Sequence, residues 1–192
     1  MIIFFWIFYN IYYFLPHNFQ WSVSLPLHVC DILGVVAIIA IFTCNRFARA
    51  FLYFAGIALA AQAFITPTGN QSPYTLRFWL FWGLHIGILS CAIFDIIVRK
   101  YRPNKMDYFA SITVNIFYLI IIFPLDAYMG WNYGYIGNSK PDVPTVLDFL
   151  GKWPLRVVWM FLVVCFLQLI MLLPFQYLIL RNKNKELKHA QR

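Results

Sequence analysis

The 192-residue chain is 62% hydrophobic and 20% aromatic, with only 11% charged residues and a formal net charge of +8. Soluble domains carry about 25% charged residues, so the soluble globular and disordered classes are both excluded. Aromatic side chains in this abundance suit a protein whose surface meets lipid and whose helix ends lie at interfaces.

Apolar stretches of about 20 residues mark helices able to cross the hydrocarbon core. Six are predicted: Ile2 to Leu15, Leu25 to Thr43, Phe47 to Ile65, Phe78 to Val98, Tyr108 to Met129 and Val157 to Leu180. The first is short and resembles the apolar core of a signal peptide. It has no basic leader and no small-residue cleavage site, so it is read as a helix. Ser24 is the expected N-cap of the second helix, with Pro26 tolerated in its first turn. The expected architecture is an all-α membrane protein: a bundle of six transmembrane helices over residues 1–180, followed by a basic tail at residues 181–192.

The basic residues orient this bundle. With both termini cytoplasmic, Arg46, Arg49, Arg99, Lys100, Arg102, Lys105 and the five basic residues from Arg181 onward lie inside, which is eleven of the fifteen Lys and Arg residues. Arg77, Lys140, Lys152 and Arg156 lie outside. This is a positive-inside bias. It accounts for the charge without nucleic acid, and it predicts a multi-pass protein of the cell membrane. Cys30, Cys44, Cys91 and Cys165 share no metal-ligand spacing and no CxxC, so neither a metal nor a cofactor is expected.

Depth along the predicted helices follows from the rise of about 1.5 Å per residue. Cys30 then lies about 9 Å below Ser24, and His85 about 12 Å below Arg77. Gln62 and Asp126 each fall about one turn below the outer ends of their helices. Four helices are thus expected to deliver polar groups to one layer in the outer half of the membrane. Intramembrane polar groups face the bundle interior or a cavity and mark functional sites. Each taken singly also has a structural reading, as an interfacial residue or a helix-to-helix hydrogen bond. Asp95 stands apart, and an i, i+4 pair with Arg99 is its simplest explanation.

Within the layer Cys30 is the one strong nucleophile, and His85 is the deepest titratable group. A thiol becomes a nucleophile when a base or a positive neighbour favours the thiolate. His85 or His28 is the candidate base, and Asp31 or Asp126 the candidate group to orient an imidazole. Gln62, Asn132 or Tyr133 could donate to a developing oxyanion. Such a set suits acyl transfer or hydrolysis on a membrane lipid. The connection from Gly130 to Pro154 is long enough to fold back over the layer as a cap.

The segments "LPLHVCD" at 25–31, "ITPTGN" at 65–70, "FWGLHIG" at 81–87, "NYGYIGNSKP" at 132–141 and "LDFLGKWPL" at 147–155 occur in order. From about Leu25 to Pro174 the chain resembles the YwaF-like family of bacterial integral membrane proteins. That family is similar to a eukaryotic transmembrane family implicated in acyl transfer to ether phospholipids. Carried over by motif, the resemblance implies Cys30 and His85 as the active pair and membrane lipids as the partners. Low Ala and Gly usage also suggests an AT-rich bacterial genome. Two other classes fit the same residues. One is a small-molecule transporter or substrate-binding component, with Cys30 incidental; the other is a structural membrane subunit without catalysis. No protein partner is indicated.

Overall fold

The computed structural model describes residues 1–67, 72–139 and 149–190, so Lys140, Asp142, Asp148 and parts of three of the quoted motifs lie outside the described residues. It is all-helical there. Helix α1 spans Ile2–Phe14, α2 Val29–Thr43, α3 Arg46–Ile65, α4 Leu76–Ile97, α5 Lys105–Met129 and α6 Leu155–Ala190. Four of these, α3 to α6, are long and apolar enough to cross a membrane, whereas α1 and α2 are shorter apolar helices.

Helix α2 starts four residues later than its hydropathy suggests. Ser24 is not its N-cap: the Ser24 hydroxyl accepts the Gln20 N–H at 2.9 Å and closes a turn of the preceding loop. His28 occupies the cap position instead, and the Asp31 carboxylate reaches back to accept the His28 N–H at 3.1 Å. An acid at the third helical position satisfies a donor that the helix cannot, and it also complements the dipole of the helix start. Cys30 therefore stands in the first turn of α2, not two turns inside it. At the far end α6 continues through the basic residues to Ala190, because Lys, Glu and Leu are good helix formers and no proline follows Pro174.

Helix α3 is the centre of the bundle. It packs against α2, α4, α5 and α6, while α1 lies against α2 and α4. Residues from Ala50 to Gly56 are consecutively buried, so α3 meets protein on all sides. Halfway along, Gly56–Ala60 widens into a π-helical turn before the α-helix resumes at Gln62. Helix α1 sits close because its neighbours are small at the crossing. A Cβ at Gly34 would strike the Trp6 indole, one at Gly83 the Phe5 ring, and one at Gly87 the Ile2 side chain. Small residues let membrane helices approach and gain dispersion contact where no hydrophobic driving force exists. The Trp6 indole then donates to the Asp31 carbonyl at 2.9 Å, tying α1 to the first turn of α2.

The end of the bundle away from that turn is closed by charge. Arg49 Nε donates to Asp95 Oδ2 at 2.8 Å, across from α3 to α4. Arg46 reaches Asp107 on α5 through two bonds, 2.9 and 2.6 Å. Tyr101 lies between the two arginines, its ring 4.5 Å from the Arg49 guanidinium carbon and 5.7 Å from that of Arg46. Burial, aided by Asp107, pushes the Tyr101 phenol well up, so it stays neutral. Arg99, the expected partner of Asp95, instead donates to the Ala40 carbonyl and lies against Phe94. Asp95 is only 2% exposed, and an arginine from a neighbouring helix can reach it without turning out to solvent as Arg99 would.

Removing one partner of a buried pair leaves the other charge uncompensated, at roughly 3–5 kcal/mol. Arg49→Met should therefore destabilise the fold in detergent by a free energy of that order, read as a lower thermal unfolding midpoint, and the double variant Arg49→Met, Asp95→Leu should recover most of it. A single variant as stable as the parent would show that the pair does not hold α3 to α4.

Candidate functional site

The loops and helix ends opposite the ion pairs surround a cavity of about 420 Å³. That volume is in the range of small-molecule sites. Cys30 and His28 line it from the start of α2, His85 from α4, and Ala58 to Ala60 and Gln62 from the π-turn of α3. Tyr9 and Tyr13 of α1 and Arg77 of α4 add polar groups, Asn132, Gly134 and Tyr135 close it from the connection after α5, and Val163, Val164 and Leu167 supply an apolar wall from α6. Of the residues anticipated from the sequence, Cys30, His85, His28, Gln62 and Asn132 share this cavity. Asp31, Asp126 and Tyr133 do not line it.

Each imidazole is held by backbone. His85 Nδ1 lies 2.8 Å from the Phe81 carbonyl one turn earlier on α4. A carbonyl can only accept, so Nδ1 carries the proton and Nε2 keeps its lone pair. His28 has the reverse arrangement. Its Nδ1 accepts the Gly134 N–H at 3.3 Å, which leaves the proton of the neutral ring on Nε2. The two rings line the same cavity. They therefore present opposite faces of imidazole chemistry, one acceptor and one donor. Neither is oriented by Asp31 or Asp126, the two carboxylates expected from the sequence to do so. Asp31 is committed to the His28 N–H, and Asp126 lies under the Tyr133 turn, where its backbone carbonyl accepts the Trp131 N–H at 3.1 Å.

No hydrogen bond joins Cys30 to either ring. The thiol lies between two fields of opposite sense: the positive start of α2 favours negative charge on sulfur, and the adjacent Asp31 carboxylate opposes it. Catalytic contacts commonly tighten only when substrate is bound, so a looser spacing is compatible with chemistry at this pair.

The described part of the connection after α5 packs as a wall. Gly130, at φ +70°, ends α5 in the left-handed conformation that glycine adopts without strain. Gly134, at φ +61°, turns its N–H toward His28, and its missing side chain leaves room for the Tyr118 hydroxyl. Tyr133 is fully buried. Its hydroxyl accepts the Leu25 N–H at 3.1 Å and donates to the Trp21 carbonyl at 2.6 Å, while its ring stacks obliquely on His28 with centroids 4.9 Å apart. Tyr133 therefore supports the site from behind. Tyr118 adds a bond to the Leu27 carbonyl at 2.8 Å, and the Trp153 indole donates to the Ile136 carbonyl at 3.0 Å. Arg156, 1% exposed, donates to the carbonyls of Gly137 and Ser139. Burial pushes the Tyr133 phenol up, so it remains a neutral hydrogen-bonding group.

Sequence reasoning did not find Tyr9, Tyr13, Arg77 or the π-turn. Among twelve tyrosines neither Tyr9 nor Tyr13 stands out, and Arg77 reads as one more basic residue at a helix end. The run "GIALAA" at 56–61, small side chains in mid-helix, was the available signal for the turn. π-Turns inside α-helices are frequent at functional sites, since the extra residue widens the helix locally.

No curated protein and no solved structure matches the chain. The model of the TMEM164 family, a transmembrane family, matches residues 1–172, which takes in α1 to α5, the first half of α6 and every described residue that lines the cavity, and the chain belongs to that family.

Proposed function

We propose that the protein is a lipid acyltransferase or lipid hydrolase of the cell membrane, with six transmembrane helices, both termini cytoplasmic, and a Cys30–His85 pair working in the outer half of the bilayer. One observation carries this reading: Cys30, His85 and His28 line one cavity, with the two imidazoles fixed in complementary tautomers. His85 Nε2 takes the thiol proton, and the Cys30 sulfur attacks the carbonyl carbon of an ester. The new C–S bond forms as the ester C–O bond breaks, and the proton held by His85 passes to the departing alkoxide. The His28 Nε2–H is the donor suited to the oxyanion of the intermediate, with the Gln62 amide beside it on the lining. A hydroxyl acceptor then gives transfer, and water gives hydrolysis. The motif resemblance to YwaF-like bacterial proteins, and through them to acyl transfer on ether phospholipids, supports the same pair.

A thiol-reactive lipid analogue should label Cys30 in preference to Cys44, Cys91 and Cys165, although Cys44 is the exposed one. Loss of a general base costs about 100-fold or more, and His85→Ala should slow the labelling accordingly while preserving the thermal unfolding midpoint within a few degrees. Labelling spread evenly over the four cysteines, or indifferent to His85, would remove the acyl-transfer reading in favour of a solute-binding cavity.

The topology has its own check. A tag placed after Arg192 should be inaccessible in intact cells and become accessible on permeabilisation, because eleven of fifteen basic residues then face the cytoplasm. External accessibility would move the cavity to the inner leaflet.

A further inference from the structure

Helix α5 turns its polar side chains toward protein. Its exposed face is hydrocarbon, with Phe109, Ile116, Phe117, Ile120 and Ile121 open to lipid. Four of its five buried residues are polar: Asp107, Ser111, Asn115 and Asp126, with Ile122 the exception. Asp107 meets Arg46 at the ion-pair end of the bundle. Ser111 and Asn115 follow on the same face, one and two turns deeper, and Gln168 is buried on α6, which packs against α5.

Depth and contacts bring Ser111, Asn115 and Gln168 to one region. Asn115 stands ten residues from Lys105 and Gln168 ten residues from Leu178, the ion-pair ends of the two apolar spans. Both are therefore about 15 Å into the bundle. The Tyr108 hydroxyl donates to the Cys165 carbonyl at 3.4 Å, and the Tyr53 hydroxyl donates to the Met171 carbonyl at 3.0 Å. Helices α5 and α3 thus both hold the stretch of α6 that carries Gln168. On α3 the π-turn begins at Gly56, one turn beyond Tyr53, so its widened part passes the same level.

Ser111 and Gln168 are completely buried, and Asn115 is 8% exposed. The Ser111 hydroxyl, the Asn115 amino group and both ends of the Gln168 amide nevertheless find no hydrogen-bond partner among the described residues. Such groups are costly in hydrocarbon, and polar side chains between membrane helices ordinarily bond directly across the interface. These do not bond to one another. The region is also uncharged: no Asp, Glu, Lys or Arg occurs between Asp107 and Asp126 on α5, or between Arg156 and Arg181 on α6.

We propose that Ser111, Asn115 and Gln168 form a binding site for water in the middle of the bundle, and that the bound water joins α5 to α6. A buried water makes about three hydrogen bonds to polar groups that are otherwise unsatisfied. These side chains offer the mixture it needs. The Asn115 and Gln168 amino groups donate, the Gln168 carbonyl accepts, and the Ser111 hydroxyl does either. Two amino groups disfavour a cation, and an anion would find no positive charge to meet. None of the three residues is on the described lining of the cavity, so the site stands independently of the Cys30–His85 chemistry. It fastens the helix that supplies Val163, Val164 and Leu167 to the cavity wall.

Radiolytic labelling of the full chain in detergent tests this, because an X-ray pulse turns water into hydroxyl radicals that oxidise the side chains beside it. Cys165 is the reporter, one turn from Gln168 and about 15 Å from the outer end of α6. The expected result is oxidation of Cys165 in the parent and loss of that label in the combined variant Ser111→Ala, Asn115→Leu, Gln168→Leu. The exposed Cys44 should keep its label in both. Where the combined variant fails to fold, Gln168→Leu alone takes its place. An unlabelled Cys165 in the parent, or a label that survives the substitutions, overturns the water site. The thermal unfolding midpoint of Gln168→Leu is the second readout. A lower midpoint is expected, because the water loses a partner and Ser111 and Asn115 lose the water. An unchanged or higher midpoint would show an orphan amide replaced by hydrocarbon, and it overturns the proposal.

Discussion

The constraint that organises this protein is the cost of an unpaired polar group in a hydrocarbon surrounding. Water is not at hand to satisfy donors and acceptors there, so the chain has to supply the partners itself. At one end of the bundle the solution is ionic: Arg49 meets Asp95, Arg46 meets Asp107, and Tyr101 lies against both guanidinium groups. At the other it is made of hydrogen bonds between side chains and backbone: Trp6, Tyr118, Tyr133 and Arg156 donate to carbonyls, and His28 accepts an N–H. The ionic end joins long helices side by side. The hydrogen-bonded end ties loops to helix starts, and there the cavity forms.

A cavity next to a tightly packed centre needs a local reason. Helix α3 is consecutively buried from Ala50 to Gly56, and an unbroken α-helix would carry its close packing to the end of the bundle. The π-turn at Gly56–Ala60 adds a residue to the turn and resets the register, so that Ala58, Leu59, Ala60 and Gln62 border open space. On the opposite side α2 begins late. Its first turn, held by Asp31 and Trp6, brings His28 and Cys30 to the same space. Two departures from regular helix, one a widening and one a delayed start, thus share one consequence.

The cavity's chemistry depends on where backbone groups spend the first nitrogen of each imidazole. A histidine in an apolar setting often serves as a satisfied packing residue, and both rings here do satisfy one nitrogen locally. What distinguishes them is that each has a second nitrogen and lines the cavity, one ring as acceptor and the other as donor. Gly134 is decisive for the donor. Its left-handed turn delivers the N–H that fixes His28, and a side chain at that position would meet Tyr118. Substituting this glycine would disturb the ring orientation without touching the ring.

The sequence by itself determined the class of the protein and the course of its helices. Apolar runs, prolines and basic helix ends are local signals, and hydrocarbon leaves the backbone little choice but helix. Depth counting also singled out Cys30 and His85, although the late start of α2 puts Cys30 in its first turn and not two turns inside. What it could not supply was direction around each axis, or the partner of a polar group on a different helix. Asp95 was matched to Arg99 by spacing along one helix, yet Arg49 reaches it from α3. Ser24 looked like a cap, yet a neighbouring turn uses its hydroxyl. Asp31 looked like a partner for an imidazole, yet it satisfies the N–H of His28 instead. Arg77 was counted as topology, and only the approach of α1 gives it a partner, the Tyr13 hydroxyl. In each case the deciding contact joins segments brought together by packing, and periodicity along a single helix carries no record of which neighbour arrives.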